Sequence, residues 1–215
     1  MKVPVDLVMF DLDGTLADTG RDLADALNFT RAHFNLPVLP NAAILTHVGR
    51  GVEHLIRHAI PERSPQHFPE LLRIFLHYYE NHLLDTTVLY PSVAETLEYF
   101  RSKRRAVVSN KIQRLTVAVL RGLGIEGCFD IILGGDSASQ KKPHPALLEY
   151  ALARFCVLPG RALMIGDGDV DIQAGKQAGV LTCGVTYGLA DSGKVVAANP
   201  DFIIHHLSEI RDYFC

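Results

Sequence analysis

Two carboxylates spaced one residue apart, Asp11 and Asp13, end a short apolar run in the segment Phe10-Asp11-Leu12-Asp13-Gly14-Thr15-Leu16. In an extended chain alternate side chains point the same way, so both carboxylates converge on one side. A second acidic group lies far along the chain in Gly166-Asp167-Gly168-Asp169-Val170-Asp171, with three carboxylates in five residues. Such clustering repels unless something neutralises it, and a hard cation is the usual remedy. Between these groups, Ser109-Asn110-Lys111 offers a hydroxyl and backbone amides leading into a helix, a natural seat for a phosphate oxygen. One lysine of Lys141-Lys142-Pro143 could add the positive charge that a phosphate needs among carboxylates. Each piece also has a plainer use. Asp and Gly form turns, Ser-Asn caps helices, acidic residues favour helix starts, and paired lysines sit in solvent.

The elements that must position these residues can be read from the pattern around them. Short β-branched runs recur at Val5 to Phe10, Ala106 to Ser109, Ile131 to Leu133, Ala162 to Ile165 and Thr182 to Val185, with helical stretches between. Alternation of this kind predicts an α/β fold with a doubly wound parallel sheet, Rossmann-like in its core, which binds ligands at the carboxyl ends of its strands. Three of these segments follow such strand ends, and the lysine pair precedes a helix. Pro91 followed by Ser92-x-x-Glu95 predicts a capping box at the start of the helix that feeds Ala106 to Ser109. Residues 17–88 break the rhythm, with no convincing strand but helical patterns such as Leu23, Leu27 and Phe34, or Leu71, Phe75 and Tyr79. A connection of that length has structure of its own. The expectation is a helical cap at 17–88 inserted into a core built from 1–16 and 89–215.

Composition narrows the function classes. The 215 residues are 48% hydrophobic and 21% charged, enough to bury a globular core, and the net charge of −3 gives no basic excess for a nucleic-acid backbone or an anionic membrane. No run approaches the length of a membrane helix, and the apolar stretch near the start is too short for a signal-peptide core. The four cysteines, Cys128, Cys156, Cys183 and Cys215, are widely spaced without a CxxC pair, and read as reduced thiols of a cytoplasmic protein. A small-molecule partner is the expectation, with no nucleic acid and no membrane.

Taken in order, the segment DxDGT at Asp11, the strand-terminal Ser109, the Lys142-Pro143 pair and the GDxxxD segment from Gly166 resemble the motifs of the haloacid dehalogenase-like hydrolase superfamily. The helical insert after the first motif resembles the cap of its phosphoglycolate phosphatase-like branch. That resemblance implies a Mg²⁺-dependent phosphatase of small-metabolite phosphomonoesters, phosphoglycolate first among them, working through an aspartyl-phosphate. Asp11 would be the nucleophile, and Asp13 the acid that protonates the leaving alkoxide and then the base that activates water. Ser109, Asn110 and Lys142 would hold the phosphoryl group, Lys142 being chosen over Lys141 because the family's lysine directly precedes the proline. Mg²⁺ would be bound by Asp11, Asp167 and the backbone carbonyl of Asp13, with Asp171 acting from behind them. Ser109 stands where Thr is frequent and Gly168 where Ser is frequent, and neither change removes a catalytic group. A phosphomutase of the β-phosphoglucomutase type needs the same two aspartates and is the nearest alternative. A silent interaction protein of the same fold would have lost a motif residue, and none is lost. A dehalogenase does not need the second aspartate.

Three other signals carry less. Gly122-Leu123-Gly124-Ile125-Glu126-Gly127 matches a dinucleotide fingerprint, but the helical pattern before it makes it a helix end and turn. His54 and His58 have the spacing of a zinc helix without a completing ligand, so solvated or half-buried cap histidines are expected. Arg50, between Gly49 and Gly51, is expected on a sharply turning cap loop, either exposed and solvated or, since the resemblance implies that this cap region faces the site, with its planar fork pairing with a substrate carboxylate.

Overall fold

A computed structural model describes residues 2–62 and 65–215; Met1, in the expected core, and residues 63 and 64, in the expected cap, lie outside the described residues. The strands are β1 (Leu7–Phe10), β2 (Ala17–Asp18), β3 (Val88–Leu89), β4 (Arg104–Val108), β5 (Ile131–Leu133), β6 (Ala162–Gly166), β7 (Leu181–Val185) and β8 (Phe202–Ile204). The α-helices are α1 (Gly20–His33), α2 (Asn41–Leu45), α3 (Val52–Ala59), α4 (Phe68–Asn81), α5 (Val93–Tyr99), α6 (Gln113–Gly122), α7 (Ala146–Phe155), α8 (Asp169–Ala178), α9 (Ser192–Ala197) and α10 (Ile210–Tyr213).

Six strands form one parallel sheet in the order β5-β4-β1-β6-β7-β8. Every residue of β1 and β6 is buried, as expected of strands covered on both faces by helices. Alternation divides them between two cores. Val8 and Phe10 face a cluster with Leu97 and Phe100 of the α5 segment, whereas Leu7 and Met9 face the opposite layer with Leu147 and Leu148 of α7. The strand order reverses around β1, which places its carboxyl end at the switch point where such sheets open a crevice.

Helices α1 to α4 leave the core after β1 and make their own cluster, in which Leu27, Ile56, Leu71 and Phe75 are buried together. Leu115 of α6 joins that cluster, so the cap rests on the helix that follows β4. No α-helix of the described residues is long and apolar enough to cross a membrane.

All five expected strands are present, Ile131–Leu133 with the expected bounds and the others with ends moved by one or two residues. The strand-free reading of 17–88 needs one correction: its two ends carry a short antiparallel ribbon, with Ala17 opposite Leu89 and Asp18 opposite Val88. Asp22 of α1 ties the return of the chain to this place, accepting bonds from the N–H and hydroxyl groups of both Thr86 and Thr87. The capping box at Ser92 does not form. Ser92 has φ +65° and makes no side-chain cap bond to α5, because a left-handed backbone carries its hydroxyl away from the first-turn N–H groups that an extended N-cap would meet. Gly124 has φ +74° just beyond α6, as a helix end requires, and the four cysteines are free thiols.

Candidate active site

The parallel register brings three chain segments level. Phe10 lies opposite Val107 on one side and Ile165 on the other, so Asp11, Ser109 and Asp167 leave adjacent strands at nearly the same height. The Asp11 N–H still donates to the Ile165 carbonyl at 2.9 Å before the chain turns. The turn needs Gly14, which has φ +85° and whose added Cβ would fall 2.1 Å from Asp167 Oδ2. Gly188, after β7, lies against the same carboxylate, where an added Cβ would fall 2.4 Å from Asp167 Oδ2. With both side chains absent, Asp167 fits between two backbones and its Oδ2 accepts the N–H groups of Leu189 at 2.8 Å and Ala190 at 2.9 Å.

Asp11, Asp167 and Asp171 are buried, and one ligating oxygen of each lies within 4.8 Å of the other two. Lys142 is inserted among them, its Nζ 3.1 Å from Asp11 Oδ1 and 2.6 Å from Asp171 Oδ1, and it donates to the Val108 carbonyl at 2.6 Å. The other oxygen of Asp171, Oδ2, accepts the N–H of Gly168 at 2.9 Å, the third residue of α8 reaching back to its N-cap. One cation therefore faces three carboxylates. Burial, with Asp11 and Asp171 adding to it, pushes Asp167 up to about 8. Burial likewise raises Asp11 well above the ordinary carboxylate range, against the pull of Lys142 and with the push of Asp171 and Asp13. Burial alone would lower Lys142, but Asp11 and Asp171 outweigh it and hold the ammonium charged. A residual negative charge on an all-oxygen donor set is the environment of a hard divalent cation, and these residues fit one.

Asp13 is built differently. Its Oδ1 accepts from Thr19 Oγ1 at 2.7 Å and from Lys111 Nζ at 3.0 Å, and its Oδ2 lies 3.1 Å from the same Nζ. Lys111 is buried and also donates to the hydroxyl of Tyr79 on α4, 2.9 Å away. Burial raises Tyr79 to about 12, so it remains a neutral phenol. Sequence reasoning passed over Lys111 and Tyr79 as functional residues. Lys111 belongs to the Ser109-Asn110-Lys111 segment but counts there only for its amide, while Tyr79 reads as part of an apolar helical stripe.

Ser109 is buried at the end of β4, its Oγ accepting the N–H of Lys111 at 3.3 Å. Asn110 donates from Nδ2 to the carbonyls of Gly49, 3.0 Å, and Lys142, 2.8 Å, which joins the cap loop to two core segments. Gly49 and Gly51 have φ +93° and +89°, as the sharply turning loop requires. Arg50 between them reaches the site's rim, where its Nη2 pairs with Asp169 at 2.6 and 2.8 Å. Thus Asp11, Asp13, Ser109, Asn110, Lys142, Asp167 and Asp171 come together, while Arg50 is engaged by an acidic residue of α8. His54 and His58 stack on α3, His54 half-buried and His58 exposed.

A cavity separates cap from core above Asp11 and Asp13. Leu23, Val52, Leu55 and Phe75 of the cap and Ile112 and Leu115 of the core make its wall apolar, and Lys111 is the one cation among its described lining residues.

A doubly wound sheet with a helical cap, carrying a carboxylate pair on β1 and a lysine and acidic cluster on neighbouring strand ends, defines a capped α/β enzyme that works on a small anion. The chain belongs to the haloacid dehalogenase-like hydrolases, whose family model matches residues 8–185. It is 36% identical to a phosphoglycolate phosphatase of Haemophilus influenzae, over 98% of each chain. It is 35% identical to a phosphoglycolate phosphatase of Aquifex aeolicus, over 95% of this chain and 94% of that one. The crystal structure of a predicted phosphoglycolate phosphatase of Haemophilus somnus superposes with a TM-score of 0.93 at 32% identity, covering 97% of both chains. Family membership and the buried acidic cluster together point to a divalent metal.

Proposed function

We propose that this chain is a Mg²⁺-dependent phosphatase that removes phosphate from a small-metabolite phosphomonoester, phosphoglycolate before others, through an aspartyl-phosphate on Asp11. The observation that carries this reading is Lys142 buried between Asp11 and Asp171, with Asp167 completing an acidic site directly beside a second carboxylate, Asp13. The names of the relatives at 36% and 35% identity support phosphoglycolate as the first substrate to assay.

In the first step a carboxylate oxygen of Asp11 attacks phosphorus in line, and the bond from phosphorus to the ester oxygen breaks as Asp13 gives that oxygen a proton. In the second, Asp13 takes a proton from water as the water attacks phosphorus, and the bond to Asp11 breaks with release of inorganic phosphate. Ser109, Asn110 and Lys142 hold the phosphoryl oxygens. The carboxylates of Asp11 and Asp167 and the backbone carbonyl of Asp13 would hold Mg²⁺, which when bound screens the nucleophile from the phosphate dianion. Asp171, both of whose oxygens are already engaged by Lys142 and Gly168, orients the site from behind. Arg50 acts at the rim, fastening the cap loop over the substrate through Asp169.

We place the cap at 17–88 and the core at 1–16 and 89–215, and the enzyme in the cytoplasm. Phosphate release from a panel of phosphomonoesters, with Mg²⁺ and with chelator, tests the assignment. Turnover of none of them with the metal present would refute it.

A further inference from the structure

The cavity above Asp11 has an apolar wall and, among its described lining residues, one cation, Lys111, which is bound to the wrong partner for catalysis. Lys111 holds both oxygens of Asp13, at 3.0 and 3.1 Å, and Thr19 takes a further bond from Oδ1. A carboxylate held in this way is not free to serve a leaving oxygen. Nor can it simply leave, because a buried ammonium stripped of its counter-ion is costly. Tyr79 offers Lys111 a hydroxyl at 2.9 Å but no charge. Something anionic must replace Asp13 when Asp13 turns to the substrate, and among the described lining residues of this cavity the only acidic ones are Asp11 and Asp13. Arg50 lines the adjoining pocket, which shares Asp11 and Asp13 with this cavity, and its Nη2 is already paired with Asp169.

We propose that Lys111 is the specificity residue of this site: it receives an anionic group on the leaving alcohol, and by exchanging Asp13 for that group it frees Asp13 to take up a proton from solvent water and give it to the ester oxygen. The substrate class is then phosphomonoesters of small hydroxy acids, with a carboxylate a few atoms from the ester oxygen. Tyr79, brought by the cap, keeps the ammonium in place during the exchange. This inference rests on the phosphatase reading above and adds the origin of its selectivity.

The test compares 2-phosphoglycolate with 2-hydroxyethyl phosphate, an ester of similar size with a neutral tail. Wild type should favour the acid in kcat/KM by roughly 100-fold or more, the loss typical of leaving one partner of a buried charge pair unpaired. Lys111→Met should collapse that ratio toward unity, and Lys111→Arg, which keeps the charge, should restore most of it. A ratio that Lys111→Met leaves intact, whether both activities fall in parallel or neither falls, overturns the proposal and leaves Lys111 as a support for Asp13. Should Lys111→Met fail to fold, wild type decides: glycolate should compete with 2-hydroxyethyl phosphate while ethylene glycol does not, and equal effects of the two overturn it. A wild type that hydrolyses both esters equally refutes this inference alone, whereas one that hydrolyses neither refutes the phosphatase reading with it.

Discussion

Replacing Lys142 by Met keeps most of the length of the side chain and removes its charge from a place with no access to water, since the side chain is 0% exposed. The 3.1 Å contact with Asp11 alone corresponds to about 5 kcal/mol at an effective dielectric constant near 20. Removal of one partner from buried ion pairs costs about 3–5 kcal/mol, in the same range. At about 2.1 cal/mol/K of unfolding entropy per residue, 215 residues give about 0.45 kcal/mol/K, and the expected drop in Tm is about 7–11 °C. The loss should depend on pH with a definite sign. Without Lys142 the carboxylates can relieve their repulsion only by taking up protons, so the deficit is largest near pH 8.5 and shrinks toward pH 5.5. Added Mg²⁺ should recover part of it, by supplying the missing positive charge. Thermal melts of wild type and variant in chelator at the two pH values make the measurement. A variant within 2 °C of wild type at pH 8.5 would refute the idea that Lys142 neutralises this cluster.

Three further outcomes are expected. Asp11→Asn should lose nearly all turnover with a circular dichroism spectrum unchanged and a Tm in chelator no lower than wild type, because it removes one of several crowded carboxylates; near-normal activity would sink the covalent mechanism. In metal-free wild type the raised Asp11 and Asp167 contribute stability that is fully present below about pH 4 and is lost as pH rises through about 8, so Tm should fall over that window while the stabilisation by Mg²⁺ grows; a metal-free Tm that rises from pH 5.5 to 8.5 contradicts this. Arg50→Ala should raise KM for carboxylate and neutral esters alike by at most about fivefold, the range of a half-exposed ion pair, and a loss confined to phosphoglycolate would return Arg50 to direct reading of the tail.

What could be read in advance was what local pattern controls. The β-branched runs marked which segments are strands, and strand ends with chemically apt residues marked Asp11, Ser109 and Asp167 because a parallel sheet exposes its carboxyl edge, whereas Lys142 rested on the family resemblance and the proline after it. The helical period of 17–88 marked a cap. What escaped depends on how the cap docks. Lys111 meets Tyr79 across 32 residues and Arg50 meets Asp169 across 119, and no periodicity encodes the angle at which α4 and the Gly49 loop come down on the core. Ser92 failed because a side chain's capping ability depends on a backbone dihedral that the sequence pattern leaves open. Strand β8 at the sheet's edge after Pro200 also escaped, although it is as long as β5.

The ribbon of β2 and β3 has a consequence for how such an enzyme can change. The outgoing and returning chains lie side by side, Ala17 against Leu89 and Asp18 against Val88. Antiparallel neighbours of that kind can be joined by a two-residue hairpin turn. The whole insert thus hangs from a seam at which it can be excised or grafted without disturbing the order of the six core strands. New caps can be tried on an unchanged engine, each altering which molecules are admitted while the machinery on β1, β4 and β6 stays in place.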